Sequence, residues 1–386
     1  MQNDSIMGKE RIIALDIIRG FALFGILLVN MPSFSGSDLF LYSGIDLNIR
    51  LIFDLFIQTK FYTIFSFLFG LGFYIFMKRA ESRGENVNRL FTKRLLALLL
   101  FGVLHIVFFW DGDILHTYAI LGFFLLLFYR RTTKTVLIWT IVILVGYLLF
   151  LVILNVQSGE INNVEIHALY EKLQAYQSLP YGELLIWRFA NEIPPLVGNI
   201  PYSINIFGMF LLGLYAGKLD IFRNVDTFKK LLKRTQLISF LLSVPTLILM
   251  TYIFTHWLEI STMLKSQYFV LMNASGMTLS VFYITSITLL LEKHTWRQLL
   301  HPLRYVGQMA LTNYLLQTII CFIIFYWFGL FGKVTLWQSL IITIIIYPVQ
   351  VMTSYMWLRR FQFGPFEWLW RIMTYGKVQQ LKKKRL

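Results

Sequence analysis

The stretch that decides the fold is residues 94–118, RLLALLLFGVLHIVFFWDGDILHTY, in which two apolar runs flank a short polar turn. Around the turn lie His105, Trp110, Asp111, Asp113 and His116. Each run approaches the length that a helix needs to cross the hydrocarbon core of a bilayer, roughly 30 Å. Because ionisable side chains are costly in a membrane, a cluster of them between two spans predicts a functional site.

The composition of the whole chain is that of a membrane protein. Of its 386 residues, 57% are hydrophobic and only 14% are charged, and the mean hydropathy is +0.64. A soluble protein of this length would need a more polar surface. We therefore predict one all-α domain, residues 1–386, that is a polytopic integral membrane protein with about ten transmembrane helices. The predicted spans lie near residues 12–29, 61–77, 95–110, 114–129, 136–154, 201–216, 237–254, 268–291, 309–330 and 336–357.

The basic residues predict how the chain is oriented in the membrane. If the N-terminus is cytoplasmic, 28 of the 35 Lys and Arg residues fall in inner loops or in the tail, residues 359–386. This is the positive-inside pattern, and it predicts that both termini are cytoplasmic. The net charge of +15 then reflects topology, so the expected partner is the lipid bilayer and not nucleic acid. The single cysteine, Cys321, excludes an internal disulfide and offers no metal cluster. These features fit a bacterial plasma membrane, and the oligomeric state stays open.

Two segments outside the spans have predicted roles at the membrane surface. The outer loop, residues 155–200, carries five glutamates and two short amphipathic stretches, near 163–177 and 183–193. We expect this loop to lie in the interface and cap the bundle. After the last span, FGPFEWLWRIMTYGK (363–377) predicts a C-terminal interfacial helix, with Pro365 at its first position. We expect that helix to anchor the chain rather than to act in catalysis.

The polar turn supplies the predicted catalytic groups. Asp113 and His116 are three residues apart on one helical face, so the carboxylate can orient the imidazole and support its protonation. A histidine held in this way is what a general base requires. We therefore predict that His105, His116 and Asp113 are catalytic and that Trp110 contacts the substrate. The alternative is structural: Asp113 caps the following helix, and His105 bonds a neighbouring helix.

A second group of charged residues lies at the opposite end of the spans. Asp16 and Arg19 are three residues apart in the first span, and Arg94 begins the third. Because a guanidinium is well shaped to bind phosphate, we predict that Arg19, Asp16 and Arg94 form the binding site of a cytosolic donor, with the arginines on its phosphates. The alternative is a structural Asp16–Arg19 pair, with Arg19 reaching the headgroups.

Uncharged polar residues and one lysine complete the predicted site. Asn313 and Gln317, four residues apart in the ninth span, either hydrogen-bond between helices or line a cavity for a polar substrate. Lys60 begins the second span, where a lysine usually anchors a helix in the interface, and it is also a candidate substrate contact. No phosphate-binding glycine loop, zinc spacing or nucleophile elbow is present in the sequence.

Several segments together resemble the YeiB-like membrane proteins, known as domain of unknown function 418. The segments are RIIALDIIRGFALFGILLVN (11–30), KFYTIFSFLFGLGF (60–73), LHIVFFWDGDILHTYA (104–119), RYVGQMALTNYLLQT (304–318) and GPFEWLWR (364–371). The opening LDIIRG is also similar to that of transmembrane acyltransferases, which move acyl groups from coenzyme A to sugars. One branch of these enzymes is associated with a histidine in the loop after the first span, and residues 31–50 contain none.

The resemblance and the residues together lead to three functional hypotheses. The first is a transmembrane acyltransferase that uses acyl-CoA as co-substrate, with no tightly bound cofactor and no metal. Its acceptor would be a hydroxyl or amine of an envelope glycan, a lipid or a small molecule. The second is a proton-coupled transporter or exporter of a lipid or small molecule, in which the charges of the turn relay protons. The third is a non-catalytic scaffold or sensor, for which every buried-charge substitution would be tolerated.

Overall fold

A computed structural model describes residues 12–154, 163–193, 200–257 and 259–383. The described chain is helical, with one isolated β-bridge between Phe361 and Lys382. In chain order the helices are α1 (Ile13–Ser35), α2 (Gly44–Phe56), α3 (Lys60–Glu81), α4 (Val87–Phe108), α5 (Leu115–Tyr129), α6 (Thr133–Leu154), α7 (Asn163–Ser178), α8 (Tyr181–Asn191), α9 (Ile200–Lys218), α10 (Val225–Thr255), α11 (Thr262–Leu290), α12 (His294–Leu300), α13 (Leu303–Gln308), α14 (Ala310–Phe322), α15 (Leu336–Arg360) and α16 (Pro365–Tyr375).

The predicted fold class, an all-α polytopic membrane protein, is confirmed. Within the described residues, eight helical stretches are long and apolar enough to cross a membrane, while Leu115–Tyr129 is apolar but shorter. Each of the ten predicted spans falls on a helix, although ten crossings and cytoplasmic termini remain predictions. Lys9, Arg11 and Arg385, which the orientation prediction counts as cytoplasmic, lie outside the described residues. Residues 155–162 and 194–199 of the outer loop also lie outside them.

Close helix packing in the bundle depends on glycine. A Cβ added to Gly70 of α3 would lie 1.9 Å from the carbonyl oxygen of Phe210, and one added to Gly213 of α9 would lie 1.9 Å from that of Phe67. Each helix backbone therefore rests directly on the other. Such contacts are a main source of helix association in lipid, where apolar surface alone provides no preference for a protein neighbour.

The two predicted helices of the outer loop are present as α7 and α8, and both pack at the end of the bundle that holds the turn between α4 and α5. We call this end, defined by residues 109–114, the hairpin end. The Tyr181 hydroxyl donates to the carbonyl of Phe108 at 2.8 Å, and the Gln177 amide donates to the carbonyl of Phe331 at 3.0 Å. The loop therefore caps the bundle through bonds to backbone carbonyls at the ends of its helices.

The predicted C-terminal helix is present as α16 and is fastened to the bundle. The Glu367 carboxylate accepts bonds from the backbone N–H groups of Leu311 and Thr312, at 2.7 and 3.1 Å, and from the Thr312 hydroxyl at 2.5 Å. The Trp370 indole donates to the carbonyl of Arg94 at 2.8 Å. A carboxylate at the first turn of α14 satisfies N–H groups that have no partner within the helix and is favoured by the helix dipole.

Replacing Glu367 by alanine should lower the free energy of unfolding by about 1–2 kcal/mol, the usual cost of losing such a cap. Thermal unfolding in detergent measures this change. Glu367→Gln is the matched control, because it keeps an acceptor oxygen in the same place and should lose less. Equal stability of the alanine variant and the native protein would contradict the capping role.

Candidate functional site

One carboxylate, that of Asp113, joins the two histidines of the hairpin end. Its Oδ1 lies 2.8 Å from His105 Nδ1, and its Oδ2 lies 3.1 Å from His116 Nδ1. Oδ2 also accepts the backbone N–H of His116 at 3.0 Å. The Asp113 to His116 contact predicted from spacing is therefore present, and Asp113 also caps the start of α5, which begins at Leu115 rather than Ile114.

The hydrogen bonds assign the tautomers of both imidazoles. An ionised carboxylate can only accept, so the Nδ1 of each neutral ring must carry the proton that bonds Asp113. Each Nε2 then carries a lone pair, and a general base uses this lone pair to take a proton. His116 Nε2 lies 3.1 Å from the Thr117 hydroxyl, whereas His105 Nε2 is buried and has no hydrogen-bond partner among the described residues. The His105 side chain is 1% exposed and that of His116 is 18% exposed.

Tyr314 and Gly102 also contribute to this arrangement. The Tyr314 hydroxyl on α14 donates to Asp113 Oδ1 at 3.4 Å and accepts the N–H of Ile114 at 3.4 Å. Gly102 lets α4 and α5 approach closely, because a Cβ there would lie 2.5 Å from the backbone nitrogen of His116. Tyr314 was missed by sequence reasoning because nothing in the ninth span relates it to a turn two hundred residues away.

Trp110 lies next to His105 and also lines a small cavity. Its ring centroid is 6.4 Å from that of His105, and its indole donates to the Ser33 hydroxyl at 3.3 Å. The cavity has a volume of about 20 Å³. It is enclosed mainly by aromatic rings, with a few polar groups: Ser33, Phe34, Phe109, Trp110, Lys172, Tyr176, Thr318, Phe322, Phe325, Tyr326 and Phe331. This space holds about one water molecule. A larger ligand therefore requires α7 and α8, which we call the cap, to move.

A network of charged side chains fixes the cap over the hairpin. Arg188 of α8 bonds Glu192 at 2.7 Å and donates to the carbonyls of Ile106 and Val107, at 2.8 and 3.3 Å. These carbonyls belong to the last turn of α4, where a cation is favoured by the helix dipole. Arg188 therefore positions the helix that carries His105. The sequence signal for this network was the four-residue spacing of Arg188 and Glu192 on a predicted amphipathic helix.

Lys172 of α7 connects the cap to the turn. Its ammonium lies 3.0 Å from Glu192 and 3.5 Å from Asp111. Burial alone would lower the pKa of Lys172, but the negative charges of Asp111 and Glu192 outweigh this effect and raise the pKa. Lys172 is therefore a cation whose charge is already balanced by two carboxylates.

The predicted donor-binding residues lie on α1 and α4, away from the hairpin end. Arg19 bonds Asp16 at 2.8 Å, which is the pairing suggested by their spacing. The guanidinium of Arg94 lies 3.6 Å from the ring centroid of Trp370, a cation–π contact. The positive charges of Arg371 and Arg19 both act on Arg94. The three guanidinium groups thus form a basic cluster, in which Arg371 of α16 was not anticipated.

Asn313 and Gln317 take part in bonds between helices. The Asn313 amide donates to the Ser354 hydroxyl at 2.9 Å, and the Gln317 amide donates to Gln350 at 3.0 Å. Gln317 also donates to the carbonyl of Leu23 at 3.3 Å. These contacts join α14 to α15 and α1, and they fit the structural alternative better than the substrate-binding one.

Lys60 bonds the end of a neighbouring helix. Its side chain is fully buried, and Nζ donates to the carbonyl of Asp54 at 2.7 Å, so that it caps the end of α2. The Asp54 carboxylate bonds Arg50 at 3.0 Å and accepts from the Tyr268 hydroxyl at 2.9 Å. Thr59, just before Lys60, has φ of 68°, an uncommon value for a β-branched residue. Lys60 thus supports a sharp break between α2 and α3.

Replacing Lys60 separates this structural role from substrate binding. Lys60→Met preserves the side-chain volume and should cost less than about 1.5 kcal/mol, whereas Lys60→Ala leaves a cavity and should cost about 2–4 kcal/mol. Thermal unfolding of the two variants measures the difference. A stable methionine variant that fails to turn over substrate would instead make Lys60 a substrate contact.

Comparison with known proteins gives relatives along the whole chain. The chain is 37% identical to the uncharacterized protein YxaH of Bacillus subtilis, with 97% of each chain covered. It is 34% identical to an uncharacterized 39.9 kDa protein in the amylase 3' region of Bacillus acidopullulyticus, and 30% identical to the uncharacterized protein YeiB of Escherichia coli. Those alignments cover 97% and 95% of this chain and 96% of each relative. The family described as "Protein of unknown function (DUF418)" matches residues 216–377. No solved structure matches the chain.

Proposed function

Because this chain belongs to the DUF418 family of proteins of unknown function, we propose a function from its site: a transmembrane acyltransferase. The enzyme moves an acyl group from cytosolic acyl-CoA to a hydroxyl or amine at the hairpin end. One observation carries the proposal: His105 has its Nδ1 held by Asp113 at 2.8 Å and a buried Nε2 that no described residue bonds. On this proposal the protein lies in the plasma membrane with both termini in the cytoplasm, as its basic loops predict.

The chemistry follows from the free lone pair on His105. Nε2 takes the proton of the acceptor hydroxyl, and the oxygen attacks the carbonyl carbon of the thioester. The C–S bond then breaks, and the proton passes from Nε2 to the departing thiolate. Asp113 keeps the ring in the required tautomer and stabilises the imidazolium that forms, a role for which a buried carboxylate is well suited.

The donor would bind at the opposite end of the bundle. Arg19 and Arg94 face the cytosol on this proposal, and their guanidinium groups suit the phosphates of coenzyme A. Arg94 and His105 lie on the same helix, α4, eleven residues apart, which corresponds to about 16 Å along its axis. The long thioester arm of acyl-CoA would cover this separation, so that its acyl group reaches His105 while the phosphates stay near the arginines.

Acyl-CoA should stabilise the purified protein. A ligand at about 100 times its Kd adds roughly 2.7 kcal/mol of stability if it binds the folded state alone. We expect a rise in Tm with acetyl-CoA or a longer acyl-CoA in detergent, and its loss in Arg19→Ala. Lys229→Ala, which removes an exposed basic side chain from the first turns of α10, should keep the rise. A folded protein that no acyl-CoA stabilises would contradict the donor site and favour transport.

A proton-coupled transporter is the second candidate, and the graded exposure of the histidines favours it. Asp113 bonds the fully buried His105 and the partly exposed His116, so the three groups together lead from the bundle interior towards its surface. Substrate flux through proteoliposomes that follows an imposed proton gradient, with no covalent change in the substrate, would support transport. Flux that persists after a protonophore is added would contradict it.

A further inference from the structure

The cavity at the hairpin end contains an unsatisfied hydroxyl. Thr318 lines the cavity, its side chain is 1% exposed, and its hydroxyl has no hydrogen-bond partner among the described residues. A buried hydroxyl without a partner costs free energy, so its presence in a cavity wall points to a ligand atom that it bonds. The remaining walls are mostly aromatic, as is typical of sites that bind an organic molecule through shape and a few polar groups.

Large apolar side chains are exposed on the surface next to this cavity. Phe325 and Tyr326 line the cavity, and the next two residues, Trp327 and Phe328, are 69% and 70% exposed. On the cap, Ile186 and Phe189 of α8 are also largely exposed. Exposed aromatic and apolar side chains of this kind are typical of the part of a membrane protein that lies against lipid. A lipid is therefore the expected neighbour of the cavity.

The charges near the cavity favour an uncharged ligand. Lys172 is the one cation in the cavity wall, and its charge is balanced by Asp111 and Glu192. Arg188 likewise bonds Glu192 and backbone carbonyls. An added phosphate or carboxylate would lie close to Asp111 and Glu192, and like charges in a low-dielectric site repel strongly. A neutral hydroxyl meets no such penalty and can bond Thr318.

We propose that the acyl acceptor is a membrane lipid whose uncharged headgroup hydroxyl enters the cavity between Trp110 and Thr318. This inference rests on the proposed acyltransferase function and narrows its acceptor. The cavity shares Trp110 and Phe109 with the surroundings of His105, their ring centroids lying 6.4 and 6.5 Å from the imidazole. The hydroxyl oxygen forms an ester with the acyl carbonyl carbon while the C–S bond of acyl-CoA breaks. The hydroxyl proton passes through His105 to the thiolate.

The test uses the full chain in phosphatidylcholine vesicles that contain diacylglycerol, with radiolabelled acetyl-CoA added at the coenzyme-binding side. Glycerol and glucosamine are present in the buffer as soluble acceptors. We expect label in the organic extract only when diacylglycerol is present. Thr318→Val keeps the shape but removes the hydroxyl, so lipid labelling should fall about fivefold to tenfold, as for loss of one hydrogen bond. Thr353→Val, on an exposed face of α15, should change nothing.

The outcomes separate the acceptor from the reaction. Label in glycerol or glucosamine, and none in lipid, overturns the proposal that the acceptor is a lipid. It leaves the proposed acyltransferase activity standing. Binding of acyl-CoA without label in lipid also overturns it. Absence of acyl-CoA binding overturns the proposed function itself. A diacylglycerol with a photoreactive group near its hydroxyl gives a readout independent of turnover. It should label the peptides containing Trp110 or Thr318, and labelling spread evenly over the lipid-facing helices would contradict the site.

Discussion

Replacing His105 by alanine should lower the rate of acyl transfer by about two to four orders of magnitude, the usual contribution of a general base. The reason is that Nε2 of His105 is buried and has no bond to any residue that the structure describes, while Asp113 holds the ring in one tautomer. The rate is measured as label transferred from acyl-CoA in proteoliposomes, per folded protein. His105→Asn is the sharper variant, because its amide can still donate to Asp113 but offers no basic nitrogen.

Two further histidine variants make the result specific. His167→Ala removes an exposed histidine of α7 that pairs with Glu171 on the surface, so its rate should equal that of the native protein. His116→Ala should lower the rate less than His105→Ala, because Thr117 already contacts its Nε2 and the ring is partly exposed. Full activity in both His105 variants would exclude the proposed mechanism, whereas a larger loss in His116→Ala would make His116 the base.

Replacing Arg188 by methionine should lower the free energy of unfolding by about 3 kcal/mol or more, as expected when one partner of a buried ion pair is removed. Arg188 is 1% exposed, and its loss leaves the buried Glu192 carboxylate with Lys172 and Tyr176 as its partners among the described residues. It also leaves the carbonyls of Ile106 and Val107 without their side-chain donor. Thermal and denaturant unfolding in detergent measure the change.

The double variant Arg188→Met, Glu192→Leu tests whether the lost stability comes from the buried charge of Glu192. Removal of both charges eliminates the buried carboxylate that has lost its guanidinium partner, and apolar replacement of a whole buried pair is often nearly neutral. The double variant should therefore be more stable than Arg188→Met alone. Losses that simply add would indicate that the two side chains act independently. Because Arg188 positions the end of α4, Arg188→Met should also slow acyl transfer without changing acyl-CoA binding.

The sequence by itself determined the class of fold and the position of its helices. Apolar runs of this length have no other stable arrangement in lipid, where each backbone group must be satisfied within its own segment. The short helices of the outer loop and α16 could also be located from the sequence, because their patterns are amphipathic. Local spacing also predicted the contacts Asp16–Arg19 and Asp113–His116, because residues three apart on a helix are neighbours.

Contacts between distant segments were decided only by the tertiary structure. The turn sequence names His105 and Asp113, but their bond depends on how α4 and α5 pack, with Gly102 at the point of closest approach. Tyr314 reaches Asp113 from α14, and Arg188 reaches the end of α4 from the outer loop. Lys60 was a candidate for the same site and instead caps α2. Helical periodicity specifies which face a residue occupies, whereas the neighbour of that face depends on packing among all the helices, which no local pattern encodes.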